Sequence, residues 1–115
     1  MPVNLLALTT VNRAKLYQGQ PTTTSATLYT VPASTDVKIT GIVISNTTAA
    51  AATITLAVST GATGATKQIL SAFNVAGNDT VSLTVPINAT AADIITGLQG
   101  TAAALTVTIS GETYA

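Results

Sequence analysis

An alternation of apolar and hydroxyl-bearing side chains runs through Ala52-Thr53-Ile54-Thr55-Leu56-Ala57-Val58-Ser59. Successive side chains of a β-strand point to opposite faces, so this period of two gives the segment one apolar face and one face of small polar residues. The same alternation recurs in residues 80–87 and 105–110. Threonine suits the solvated face because its branched Cβ favours extended backbone. These three segments predict strands that each bury one face in a core.

Weaker signals extend the strand pattern to residues 13–18, 25–31, 36–46, 68–75 and 93–98, for a total of about eight strands. The apolar residues of segment 36–46 change phase at Gly41, because Val37 and Ile39 are odd-numbered whereas Ile42 and Ile44 are even-numbered. A glycine at such a change of phase predicts a β-bulge that resets the register.

Turn sequences separate these strands, and those at residues 61–64, 76–79 and 99–101 are expected to close hairpins. No segment longer than a turn has the i, i+3, i+4 spacing of an amphipathic helix. The sequence therefore predicts an all-β fold: a single antiparallel β-sandwich of about eight strands, jelly-roll-like, over residues 13–115. Residues 1–12 lie outside the alternation and are expected to form an extended N-terminal arm.

The residue types used in most active sites are scarce in this chain of 115 residues, which has no His, Cys or Trp and only eight charged residues. A serine or threonine nucleophile needs a neighbouring base, and no histidine can serve. The four carboxylates, Asp36, Asp79, Asp93 and Glu112, fall near expected strand ends and turns, where such residues commonly cap the backbone. We therefore expect no enzyme activity, no metal site and no cofactor.

The chain has a formal net charge of zero, and its four basic residues, Arg13, Lys15, Lys38 and Lys67, are scattered along the sequence. Nucleic-acid binding is not expected, because it needs a clustered basic surface. The N-terminus has no positively charged region followed by a long apolar run, so neither a signal peptide nor a membrane span is expected. Weak surface charge instead favours association with other protein copies.

Four segments of the chain have a distinctive order: Thr27-Leu28-Tyr29-Thr30-Val31-Pro32-Ala33, Ile42-Val43-Ile44-Ser45-Asn46-Thr47, Ala52-Thr53-Ile54-Thr55-Leu56 and Val107-Thr108-Ile109-Ser110-Gly111-Glu112. In this order they resemble a loose group of small bacteriophage virion proteins found as head decoration, collar or tail-accessory components. The last of these segments is similar to the group's final strand, which ends in a Ser-Gly-Glu-like turn. The resemblance implies a non-enzymatic virion protein that acts through assembly.

Two functions follow from this resemblance. The first is a capsid decoration or cement protein on the capsid surface, a homo-oligomer and by expectation a trimer, that contacts the major capsid protein or other virion proteins. Its expected contact residues are the otherwise unexplained apolar side chains of the arm, Leu5, Leu6, Leu8 and Val11. The alternative is a tail, collar or fibre component that binds a host glycan through its tyrosines and the loops at 61–66 and 76–79.

Overall fold

Two antiparallel β-sheets make up the computed structural model, which describes residues 11–60, 68–84 and 86–115. The nine strands of this part of the chain are β1 (Val11–Gly19), β2 (Ala26–Thr30), β3 (Asp36–Asn46), β4 (Ala52–Thr60), β5 (Gln68–Val75), β6 (Thr80–Leu83), β7 (Ile87–Ala89), β8 (Asp93–Gln99) and β9 (Leu105–Tyr114). For the described residues, the prediction of an all-β fold is confirmed.

Most strands that follow one another in the sequence lie in different sheets. Sheet I has the order β1-β9-β3-β6, with β7 also paired to β3, and sheet II has the order β2-β8-β4-β5. Within the described residues, β4 and β5 are the one pair of consecutive strands that hydrogen-bond to each other. The turns at 76–79 and 99–101 connect different sheets, so the prediction that they close hairpins is wrong. Turn 61–64 lies outside the described residues.

One hydrophobic cluster joins the inner faces of the two sheets. Its largest fully buried apolar side chains are Ile39, Ile42, Ile44, Leu105 and Ile109 from sheet I and Ile54, Leu56 and Ile95 from sheet II. Complete burial of one such side chain is worth about 1.5–3 kcal/mol. These alternating aliphatic residues therefore hold the sheets together, as the period-two pattern predicts.

The change of phase at Gly41 is a β-bulge in the structure. The pairing of β3 with β9 shifts register between Ile39 and Gly41. Ile39 and Ile42 are consequently both buried, although they have opposite parity in the sequence. The sequence-based prediction of a bulge at this glycine is confirmed.

Three local predictions were wrong. The single strand predicted for 80–87 is two strands, β6 and β7, with Pro86 between them; proline lacks the N–H that a continuous ladder needs. The last strand, predicted to end at Ser110, continues to Tyr114, and its Gly111 and Glu112 pair with both β1 and β3. In β4, Ala57 and Ser59 were expected to be solvated but are buried.

Two buried amide side chains tie connecting segments to the sheets. Asn46, which is 3% exposed, donates from Nδ2 to the carbonyl oxygens of Ala50 (2.8 Å) and Val75 (3.1 Å). Gln99, which is fully buried, donates to the carbonyl oxygen of Pro21 and accepts from the Leu105 backbone N–H at 2.8 Å. Both amides pair backbone groups that would otherwise be costly to bury.

The region assigned to the N-terminal arm includes the first residues of β1, because Val11 pairs with Tyr114 and Asn12 with Thr113. Residues 1–10 lie outside the described part of the chain. Among the described residues there is no helix with the length and apolarity needed to cross a membrane.

Candidate interaction surfaces

The outer face of sheet I carries a row of charged side chains. Directly opposed residues of antiparallel strands project from the same face. Arg13 of β1 opposes Glu112 of β9, and Glu112 opposes Lys38 of β3. The register therefore brings together cations that are 25 positions apart in the chain and places a carboxylate between them.

Lys15 lies one step further along the same face of β1, opposite Ser110. Its Nζ donates to Oε1 of Gln18 at 2.9 Å, and Gln18 Nε2 in turn donates to Thr108 Oγ1 at 3.3 Å. We refer to Arg13, Lys15 and Lys38 as the basic patch. The register thus brings together three basic residues that are scattered along the sequence, and Lys67 lies outside the described residues.

The carboxylate in this row is held by its neighbour on β9. The hydroxyl of Tyr114 donates to Glu112 Oε1 at 2.8 Å. This hydrogen bond favours the protonated phenol and raises the pKa of Tyr114 above its ordinary value, with a smaller contribution from burial. Glu112 is therefore oriented along β9, towards Tyr114.

A cleft of about 450 Å³ opens beside the basic patch. Its lining residues are Arg13, Ala14, Lys15, Thr40, Ser110, Gly111 and Glu112. Thr40 lies at the β3 bulge and donates from Oγ1 to the Ser110 carbonyl oxygen at 3.3 Å. The bulge thus adds a hydroxyl group to the wall of a cleft whose charged side chains are two cations, Arg13 and Lys15, and one carboxylate, Glu112.

The outer face of sheet II has a different chemistry. The register places the following side chains on this face: Thr27 and Thr30 of β2, Thr53, Thr55, Ala57 and Ser59 of β4, and Ile94, Thr96 and Leu98 of β8. None of these is charged. In the described structure, one outer face of the molecule is therefore charged and the other is not.

The centre of this uncharged face is recessed. Ala57 opposes Thr96, and these side chains are only 3% and 8% exposed although they point away from the core. A shallow groove of about 90 Å³ passes over them, with Leu98 and Gln68 among its other lining residues. Small side chains opposite one another create this depression, and it accounts for the unexpected burial of Ala57.

Two of the four carboxylates accept hydrogen bonds at turns, as predicted from the sequence. Asp93 accepts from the Thr60 hydroxyl at 2.6 Å and from the Thr90 backbone N–H at 2.9 Å. These hydrogen bonds, that from Thr60 first, lower the pKa of Asp93 below its ordinary value. Asp79 accepts from the Thr80 backbone N–H at 2.8 Å.

The other two carboxylates lie within sheet I. Asp36 opposes Tyr114, and Glu112 is two residues before Tyr114 on the same strand, so the fold brings these acids to neighbouring positions that local spacing did not indicate. The described residues contain no group of three His, Cys, Asp or Glu side chains arranged to hold a metal ion.

The tyrosines that the glycan-binding alternative would use are divided between the sheets. Tyr17 and Tyr114 belong to sheet I, whereas Tyr29 belongs to sheet II. Tyr17 and Tyr29 pack against the core, and burial raises the pKa of Tyr29. The three rings therefore do not form one platform, and loop 61–66 lies outside the described residues.

Of the arm residues proposed as contacts, Leu5, Leu6 and Leu8 lie outside the described part of the chain. Val11, the first residue of β1, is 53% exposed. It is thus an accessible apolar side chain at the edge of sheet I, next to the charged row.

Comparison of the chain with protein-family models, with curated protein sequences and with solved structures finds no match.

Proposed function

We propose that this chain is a non-enzymatic virion structural protein, a capsid decoration protein that braces the capsid lattice through protein–protein contacts. The observation that carries the proposal is the uncharged outer face of sheet II. A partner can bury this surface without desolvating a charged group, and the cores of protein interfaces are depleted of charged residues. The half-buried Leu98 and Ile94 supply apolar area within the threonine-rich face.

We infer further that the two sheets form a jelly-roll sandwich. Support comes from the strand order β1-β9-β3-β6 facing β2-β8-β4-β5, in which the chain passes between sheets at most of its connections. Two Greek keys folded together give this alternation, and the short β7 is an addition beside β3. Jelly rolls are a common architecture of viral capsid domains, which supports a virion role by analogy of fold.

The expected partners are the major capsid protein or other virion proteins, and further copies of this chain, for which we propose a trimer. The resemblance to small bacteriophage virion proteins supports this choice of partners. The apolar residues of the N-terminal arm are proposed as an additional contact, and Val11 is an exposed member of that set.

A binding experiment on capsids lacking this protein tests the role of sheet II. Thr27→Glu introduces a charge at an exposed position beside the groove, and Ser82→Glu introduces the same charge on exposed β6 of sheet I. Burying an unpaired charge is costly, so Thr27→Glu should weaken capsid binding by about tenfold or more. Ser82→Glu should bind like the unmodified protein. Equal binding by both variants would contradict the proposed use of sheet II.

A further inference from the structure

The basic patch contains cationic groups that the described fold does not use. Among the described residues, the side chains of Arg13 and Lys38 have no hydrogen-bond or ion-pair partner, and the Lys15 side chain donates to one acceptor, Gln18. Glu112, the carboxylate that lies between Arg13 and Lys38, accepts a hydrogen bond from Tyr114. The cations are therefore available to an external ligand.

The local charge is positive although the chain as a whole is neutral. The basic patch contributes three positive charges against the two negative charges of Glu112 and Asp36, giving a local net charge of about +1. Asp36 lies two residues before Lys38 on β3 and does not line the cleft, whereas Arg13 and Lys15 do. The positive potential is thus concentrated at the cleft between β1 and β9.

We propose that the basic patch binds an acidic, extended segment of a partner protein through its carboxylates. The structure carries this through charge complementarity: Arg13 offers a planar pair of donors suited to a carboxylate, and Thr40 lines the same cleft with a hydroxyl. The choice of a protein as the partner rests on the proposed function. The positive charge of the cleft is independent of that proposal.

The spacing of the patch indicates how the acidic residues should be arranged. Arg13 and Lys15 are two residues apart on one strand and so lie about 7 Å apart along the same face. An extended segment repeats its side chains on one face at the same interval. Acidic residues at alternate positions would therefore meet both cations.

Nucleic acid fits this surface less well than an acidic protein segment. Phosphate-backbone recognition uses a continuous series of cations, whereas this patch has three cations interrupted by Glu112. A carboxylate in the middle of the row repels a closely spaced phosphate chain. Separate carboxylates on a peptide can bind on either side of it.

The test uses the full chain and a short peptide of alternating Glu and Thr, with an alternating Gln and Thr peptide as control. Binding is measured by calorimetry at about 0.01 M and about 0.15 M salt. We expect saturable binding of the Glu peptide, weaker at the higher salt, and none of the Gln peptide. No binding of the Glu peptide at low salt would overturn the proposal, as would tighter binding of a short DNA duplex or of inorganic phosphate.

Variants then locate the site. Arg13→Gln with Lys38→Gln removes two patch charges, while Thr24→Asp with Ser82→Asp changes the net charge equally at exposed positions elsewhere. Because each partly solvated charge pair contributes modestly, the loss of two should lower the affinity of the first variant about tenfold. The second should lose far less, and equal losses would overturn the assignment to this patch. If the chain bound the Glu peptide but did not bind capsids, the proposed binding site at the basic patch would stand and the proposed decoration role would be rejected.

Discussion

Asn46 provides the sharpest test of how the two sheets are joined. It ends β3 in sheet I, and its side chain contacts the connection to β4 and the end of β5 in sheet II. Besides its two donated bonds, its Oδ1 accepts from the Thr48 backbone N–H at 2.9 Å and from the Thr48 hydroxyl at 2.8 Å. Asn46→Ala removes all four bonds.

The expected cost follows from these contacts. Each hydrogen bond contributes about 0.5–1.5 kcal/mol net, and leaving a buried partner such as the Val75 carbonyl oxygen unpaired adds to the loss. We expect Asn46→Ala to lower the free energy of unfolding by about 3–4 kcal/mol. This is a large part of the roughly 5–15 kcal/mol typical of a single domain.

Urea unfolding followed by circular dichroism measures this change. With a denaturant slope of about 1.5 kcal/mol per M, the midpoint should fall by about 2–2.7 M. Asn88→Ala is the matched control, because Asn88 is exposed in β7 and the chemical change is identical. It should cost less than about 0.5 kcal/mol. If Asn46→Ala cost no more than Asn88→Ala, the reasoning on the buried amide would be refuted.

Two further predictions concern backbone packing and a turn. Gly111→Ala should destabilise the fold strongly, because a Cβ at Gly111 would lie 2.4 Å from the Lys38 carbonyl oxygen, whereas one at Gly41 would meet its nearest atom at 3.7 Å. Thermal unfolding of Gly111→Ala and Gly41→Ala checks this, and equal midpoints would contradict it. Because the pKa of Asp93 is lowered from 3.8, its contribution to stability is present above that pH and lost as pH falls through the folded-state value. The stability difference between the unmodified chain and Asp93→Asn should therefore shrink on acidification below about pH 4; a constant difference would count against the role of the Thr60 bond.

The strand pattern could be predicted because it depends on local chemistry. Alternating side chains fix which residues of β4 and β9 face the core, and the change of phase at Gly41 identifies the bulge. The alternation of side chains along a strand does not depend on which strand pairs with it. It could not show that β5 and β6 belong to different sheets, and it therefore gave hairpins where the chain crosses between sheets.

The surfaces depend on pairing between distant segments, which the sequence does not encode locally. The row formed by Arg13, Glu112 and Lys38 exists because β9 lies between β1 and β3 in one particular register. A shift of one residue would move these side chains to the opposite face. The recess over Ala57 likewise requires Thr96 opposite it. Scarcity of charge could be read from composition, but its division between the two outer faces could not.

The most direct test of the decoration role is the copy number of this protein in purified virus particles, measured by quantitative mass spectrometry against the major capsid protein. A decoration protein bound through sheet II should be present in a number comparable to that of the capsid protein. A few copies to some tens per particle would contradict the capsid-surface assignment and favour the tail, collar or fibre alternative. Absence from the particles would contradict a virion role altogether.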